Sequence, residues 1–149
     1  RVTAERPVPM NRLDPASTPF FRLTIDNASL GLFNKCDGLS AQVEIEEYQE
    51  GGNNGYVWKF PTRVTWPTIR LTRPVTEDTL KITRWFASIQ TGIERPTGAI
   101  TALRADRSEI ATWGLLAVLP VSWTGPEFDP EGKAVAVETL EIAHHGFTD

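Results

Sequence analysis

The chain has 149 residues, of which 40% are hydrophobic and 23% charged, with a net charge of −4. That is enough chain and apolar content for one folded domain, and it excludes a chain disordered throughout. The acidic balance excludes a broad basic nucleic-acid footprint, and one cysteine, Cys36, excludes an internal disulfide or a multi-cysteine zinc site.

Residues 1–19, RVTAERPVPMNRLDPASTP, hold four prolines and no apolar period. They read as an extended arm, either a frayed terminus or a segment that docks on a neighbouring subunit. No signal-peptide pattern opens the chain, and the lone cysteine fits folding in a reducing compartment. FFRLTID, from Phe20, alternates like a strand and ends at the turn-like DNASLG, after which LGLFNKC gives a second strand. From Leu39 to Tyr48 the alternation is clean. Leu39, Ala41, Val43 and Ile45 share one face, and Gln42, Glu44, Glu46 and Tyr48 share the other. This predicts a half-buried antiparallel strand with an acidic outer face.

GGNNG follows, then two strand signals, YVWKF and TIRLTR, separated by Pro61 and Pro67. A helix is expected over residues 76–91. Thr76 is its N-cap, Glu77 and Asp78 suit its positive end, Val75 staples to Leu80, and Gly92 stops it. Ile82, Trp85, Phe86 and Ile89 form its apolar stripe, while Lys81 and Arg84 face solvent. TGAITALRAD is a strand leading to a turn at Asp106–Ser108. EIATWGLLAVLPVSW is apolar on both faces and predicts one doubly covered strand; it is too short, with its proline, to span a bilayer. KAVAVETLEIAHHG closes the chain, with a change of phase near Glu138–Leu140 that suggests a bulge. The sum is a β-barrel or sandwich of about seven antiparallel strands with one flanking helix, a single domain over residues 20–149.

Chemistry is harder to find. GGNNG lacks the Lys-Ser/Thr and the helix that a phosphate loop needs. His144 and His145 are adjacent; on a strand they point apart and do not easily share a metal, whereas a loop would allow it, but no Cys or carboxylate pattern around them completes a ligand set. Glu44 and Glu46 stand about 7 Å apart on one strand face, a spacing that suits acid/base pairs but equally a solvated face. Cys36 has no basic partner near it in sequence. Trp58, Trp66, Trp85, Trp113 and Trp123 are scattered and read as core or interface anchors. No catalytic set, cofactor site or metal site emerges, so an enzyme is not expected.

The segments EEYQEGGNNGYVWKFP, GPEFD and AVAVETLEIAHHG carry a further signal. In this order and spacing the chain, from about Phe20 to Gly146, resembles the tail tube proteins of contractile phages. It is most similar to the inner tube proteins of extracellular contractile injection systems. Where that family often has a short basic-glycine turn, this chain has PTRVTWP. The resemblance implies a β-barrel with one flanking helix, assembling as hexameric rings that stack into a hollow conduit inside a contractile sheath. Its implied partners are further copies of itself, the sheath, baseplate or spike proteins and tube-terminating proteins, with cargo in the lumen and no membrane insertion. Its implied place is a phage tail-like particle, virion or injection system assembled in the bacterial cytoplasm.

On that reading the flexible loop gains a purpose. Glu50, Gly51, Gly52, Asn53, Asn54, Gly55, Tyr56, Val57 and Trp58 are expected to order against another subunit or ring. The Gln42, Glu44 and Glu46 face is expected to line the lumen, apolar positions packing on the fold's own core. Six copies of a −4 chain then give a ring of roughly −24. His144 and His145 are expected at a ring–ring contact. Two other readings stay open: a baseplate tube-initiator paralogue, and a small carbohydrate- or ligand-binding β-domain with Trp58 and Trp66 lining a groove.

Overall fold

A computed structural model of the chain describes residues 20–48, 57–127, 131–132 and 136–148; the expected arm at residues 1–19 lies outside them. The described strands are β1 (Phe20–Ile25), β2 (Ala28–Phe33), β3 (Lys35–Asp37), β4 (Gln42–Tyr48), β5 (Trp58–Thr65), β6 (Ile69–Pro74), β7 (Gly98–Leu103), β8 (Glu109–Leu115), β9 (Leu119–Thr124), β10 (Val137–Ala143) and β11 (Phe147–Thr148). One helix, α1 (Thr79–Thr91), joins β6 to β7. The fold is mainly β with a single helix, as expected, although the strands are shorter and more numerous than about seven.

All strand pairs are antiparallel. Five strands form one sheet in the order β11-β8-β7-β1-β2, four form a second in the order β3-β6-β10-β9, and β4 and β5 pair only with each other. The first two sheets enclose the core. Leu23 and Ile25 of β1, Phe33 of β2 and Ile100 of β7 meet Ile69 and Leu71 of β6 and Leu140 and Ile142 of β10. Each such fully buried side chain contributes about 1.5–3 kcal/mol. Ile82 closes the cluster from the helix, with Trp85 and Phe86 packed beside it, so the apolar stripe read from the sequence is the face that docks.

Extra strands arise because the chain changes sheets at sharp corners. EIATWGLLAVLPVSW is not one doubly covered strand: β8 lies in the first sheet and β9 in the second, with Ala117 between them at φ 51°. Its two apolar faces serve two sheets in succession. β10 and β11 part company at Gly146, which has φ 125°. These corners bond to each other: the Leu116 amide donates to Gly146 O (2.9 Å), and the His145 amide donates to Leu116 O (2.8 Å).

Strand β10 keeps one phase throughout. Glu138, Leu140, Ile142 and His144 all point inward, and its register against β6 is unbroken. The only shift in its pairing is against β9, at Glu141/Ile142. What looked like a phase change is a buried carboxylate. Arg73 and Glu138 are 1% and 0% exposed, opposite each other on β6 and β10, with Arg73 Nε donating to Glu138 Oε1 at 2.5 Å. Arg73 Nη1 donates to Leu30 O on the other sheet (2.7 Å), and its guanidinium lies 4.2 Å from the Phe33 ring centroid. Trp123 Nε1 donates to Glu138 Oε2 (3.0 Å). The pair therefore ties both sheets together.

The helix starts later than its sequence signals suggest. The Asp78 amide donates to Thr76 Oγ1 (3.2 Å), but residues 77–78 form a turn and the helix begins at Thr79. The Asp78 carboxylate instead pairs with Lys81 at 3.0 Å and crowds Gly31, where a Cβ would lie 2.5 Å from both Asp78 Oδ2 and Arg73 Nη1. Gly31 also has φ 101°, so this close approach requires glycine. Val75 and Leu80 remain exposed and do not form a buried staple. Gly92 is extended at φ 169°, so it is not a left-handed cap. The turn expected at Asp106–Ser108 is present, with the Ser108 amide donating to Asp106 Oδ1 (2.9 Å).

Removing one member of the buried pair strands the other. Glu138→Leu is expected to cost about 3–5 kcal/mol in urea unfolding, and the Arg73→Met/Glu138→Leu double variant to recover most of it. A cost below about 1 kcal/mol for the single change would show that water already reaches the pair.

Candidate interaction surface

Strands β4 and β5 form a ribbon that the body does not cover. Every residue of β4 is exposed, as is every residue of β5 except Thr65. The expectation of a half-buried strand packed on its own core holds only at Leu39, which packs against that core; in β4 the alternation is real, but every residue is exposed. Val43 and Ile45 are 49% and 56% exposed. The ribbon continues through Pro61, which faces Ile45 across a bulge at Glu44/Ile45. Pro61 does not end the strand, because a proline is tolerated at a bulge and on an edge strand.

Register sorts the side chains. Val43 pairs with Val64 and Ile45 with Pro61, giving an aliphatic face. Gln42 pairs with Thr65, Glu44 with Arg63, Glu46 with Phe60 and Tyr48 with Trp58, giving a face that is polar at its root and aromatic at its far end. There Trp58 and Phe60 stack with centroids 6.4 Å apart, and Tyr48 meets Phe60 edge-on at 6.5 Å. Arg63 grips Glu44 with two bonds, Nε to Oε2 at 2.6 Å and Nη2 to Oε1 at 3.0 Å. A doubly held carboxylate is poorly placed to act as an acid or base, so Glu44 and Glu46 do not form a catalytic pair.

Of the residues expected to make an assembly loop, Glu50, Gly51, Gly52, Asn53, Asn54, Gly55 and Tyr56 lie outside the described residues. Val57 and Trp58 are described, and both are exposed. Gln42, Glu44 and Glu46 do share one exposed face of the ribbon.

The two histidines part as the strand period requires. His145 is exposed, with Nε2 3.1 Å from Arg95 Nη1. His144 is 4% exposed, inside a ring cluster with Trp66 (centroids 5.8 Å) and Phe147 (5.5 Å). Its Nδ1 lies 3.3 Å from Gly146 O, to which a protonated Nδ1 donates, and 3.2 Å from the Gly146 amide; among the described residues its Nε2 is buried without a partner. Burial pushes its pKa down; the Gly146 backbone bond opposes this, and the neighbouring His145 adds to the lowering. Of the pair, only His145 is available to another molecule.

Other chemistry is absent from this surface. Among the described residues no three metal-ligating side chains cluster. Cys36 is half-buried, and burial, then the charge of Asp37, push its thiol up to about 11. Trp58 and Trp66 sit at opposite ends of β5, roughly 25 Å apart for extended chain, so they do not line one groove. A cleft of about 350 Å³ is lined by Ile25, Trp85 and Ile89 together with Asp26, Glu94, Ser88 and Thr91; its two hydroxyls donate to the helix's own carbonyls, Ser88 Oγ to Trp85 O and Thr91 Oγ1 to Ser88 O.

Exposed apolar residues in the ribbon were the part of this surface that sequence patterning missed. The signal was present as Val43-x-Ile45 beside a glycine-rich loop. Alternation fixes which residues share a face, but it does not say which molecule covers that face.

Comparison with known proteins gives a consistent picture. The family model of the T4-like virus tail tube protein gp19 matches residues 17–148. The fold is similar to a chain in the sheath–tube complex of the PVC extracellular contractile injection system in its extended state, at TM-score 0.76 and 22% identity over 92% of each chain. It is similar to a chain in the six-fold symmetrised baseplate of the anti-feeding prophage, at TM-score 0.70 and 21% identity over 90% of this chain and 93% of that one. A chain in the PVC sheath/tube terminator matches at TM-score 0.70 and 24% identity over 98% of each. Comparison with curated proteins finds no match.

With its pKa at about 11, Cys36 is expected to be about one-thousandth thiolate at pH 8. Iodoacetamide should alkylate it far more slowly than an unhindered cysteine. Alkylation at the free-cysteine rate in folded protein would contradict the burial of the thiol.

Proposed function

This chain belongs to the T4-like virus tail tube protein family, and we propose that it is the repeating subunit of an inner tube, a structural protein that works by self-assembly. The observation that carries this reading is the ribbon. Val43, Ile45 and Val64 on one face, and Tyr48, Trp58 and Phe60 on the other, are each between 45% and 58% exposed. A two-stranded ribbon is marginal by itself, and large exposed apolar patches mark interaction surfaces. A second copy supplies what the subunit's own body does not.

On this reading the aliphatic face packs against the neighbouring subunit of a ring, and the free edges of β4 and β5 extend that neighbour's sheet. The tip, residues 50–58, reaches a further subunit or ring, with Trp58 as its anchor. The root of the other face, Gln42, Glu44 and Glu46, lines the lumen. Because Arg63 sits beside Glu44, this face carries less negative charge than its two glutamates alone would give. His145 faces outward and remains a candidate for the ring–ring contact; His144 belongs to the subunit interior.

Six is the copy number we take for the ring. The resemblance implies it, and the six-fold symmetry of the anti-feeding prophage baseplate supports it for a chain of similar fold. Sheath, baseplate and terminating proteins are the proposed partners, since chains of this fold occur in a sheath–tube complex, a baseplate and a tube terminator. Assembly in the bacterial cytoplasm, cargo within the lumen and the absence of catalysis complete the proposal.

Val43→Asn/Ile45→Asn tests it. Both positions are exposed, so the unassembled variant should unfold within about 0.5 kcal/mol of the parent. Negative-stain microscopy of concentrated protein, with and without a nucleating baseplate, should show rings or hollow rods for the parent and none for the variant. Normal rods from the variant, or a parent that stays a single globule under every condition, would overturn the reading. Replacing residues 51–55 by a shorter rigid linker should likewise abolish rods and leave the subunit folded.

A further inference from the structure

The ribbon's attachment to the body raises a separate question. Its two strands pack extensively only on each other, so its angle depends on the two connections at its root. On the β5 side the first residue past the strand is Trp66, which leaves the ribbon and enters the body. Its ring meets Phe147 edge-on at 4.9 Å and His144 at 5.8 Å. It also lies 3.1 Å from where a Cβ on Gly146 would stand. The backbone of this site is the pair of corners that bond to each other through Leu116, His145 and Gly146.

We propose that Trp66, His144 and Phe147 form an acid-released latch: neutral His144 holds Trp66 and so fixes the ribbon's angle, and protonated His144 lets it go. A neutral imidazole suits this site: with Nδ1–H donating to Gly146 O (3.3 Å), Nε2 is a bare lone pair, and among the described residues it has no partner. An imidazolium would add an N–H at Nε2 and a full charge inside a ring cluster where His144 is 4% exposed. The groups around it do not help. Trp66 and Phe147 are uncharged. His145 on the same strand adds repulsion, and Arg95 from the α1–β7 loop stands against His145. Among the described residues no carboxylate pairs with either histidine.

The direction of the pH effect follows. The folded-state pKa of His144 lies below its ordinary value, which is about 6.5. The latch is therefore at full strength above that value and is lost as the pH falls below it. If the ring-forming state requires the ribbon in place, the latch equilibrium weakens by up to about tenfold per pH unit between the ordinary pKa of a released His144 and its lowered pKa in the latch, and no further below that. This last step rests on the tube-subunit reading; the latch itself does not.

Spin labels on Lys59→Cys in the ribbon and Val121→Cys on β9, in a Cys36→Ser background, measure the angle in unassembled protein. One narrow distance population is expected at about pH 7.5 and a broad one at about pH 5. His144→Phe keeps a ring in the stack and takes no proton, so it should stay narrow at both. Trp66→Ala should be broad at both. Equal widths for the parent at the two pH values would overturn the latch, as would the same broadening in His144→Phe. So would loss of the far-UV circular dichroism of the body at the lower pH, since the proton would then act on the whole fold. Rod formation followed by turbidity should fall on acidification in the parent and not in His144→Phe. If no rods form under any condition, the tube reading fails while the distances still decide the latch.

Discussion

A polypeptide ribbon of two strands cannot bury its own faces, and most of what this protein does follows from that. Gln42–Tyr48 and Trp58–Thr65 satisfy one row of backbone groups by pairing with each other, and among the described residues no other strand pairs with them. The exposed apolar side chains along them are favourable only where something covers them. A subunit built this way is complete as a fold and incomplete as a surface. In the proposed tube, stacking and ring closure follow from ordinary hydrophobic burial and edge pairing.

Such a ribbon is useful only on a stiff mount, and the body supplies one. Its two sheets are joined by hydrophobic packing and by the Arg73–Glu138 pair, whose bonds run to Leu30 on one sheet and to Trp123 on the other. A buried ion pair gives little net stability but strongly penalises arrangements that separate its members. It therefore fixes how the sheets sit. At the ribbon's root the same principle appears in softer form. His144 is polar, buried and half satisfied, placed against the one tryptophan that links the ribbon to the body. Rigidity in the core and a conditional contact at the root are separate devices in separate places.

The sequence made much of this legible, and the errors have physical causes. Strand alternation at β1, β4, β7 and β10 and the stripe of α1 could be read because side-chain direction is set locally. The partner of a face is set by the whole fold, so Val43 and Ile45, exposed in the subunit, read as core. Residues 109–123 read as one doubly covered strand because a chain that turns a corner between sheets keeps its apolar faces. Glu138 broke an apolar alternation and read as a shift of phase, since pattern assigns carboxylates to water and its partners Arg73 and Trp123, which make its burial tolerable, are not its neighbours in sequence. Thr76 carries the capping chemistry expected of it, yet Asp78 is drawn toward Lys81 and Gly31 and the helix starts one turn later. Family resemblance supplied what pattern could not: the proposal that another copy covers this face.

Hydrogen exchange along the ribbon, compared between dispersed and assembled protein, tests the central claim most directly. If other copies cover it, amides of residues 42–48 and 58–65 that face outward should exchange freely in the dispersed subunit and slow by at least about a hundredfold on assembly. Assembled protein in which those amides exchange as fast as before would contradict the account.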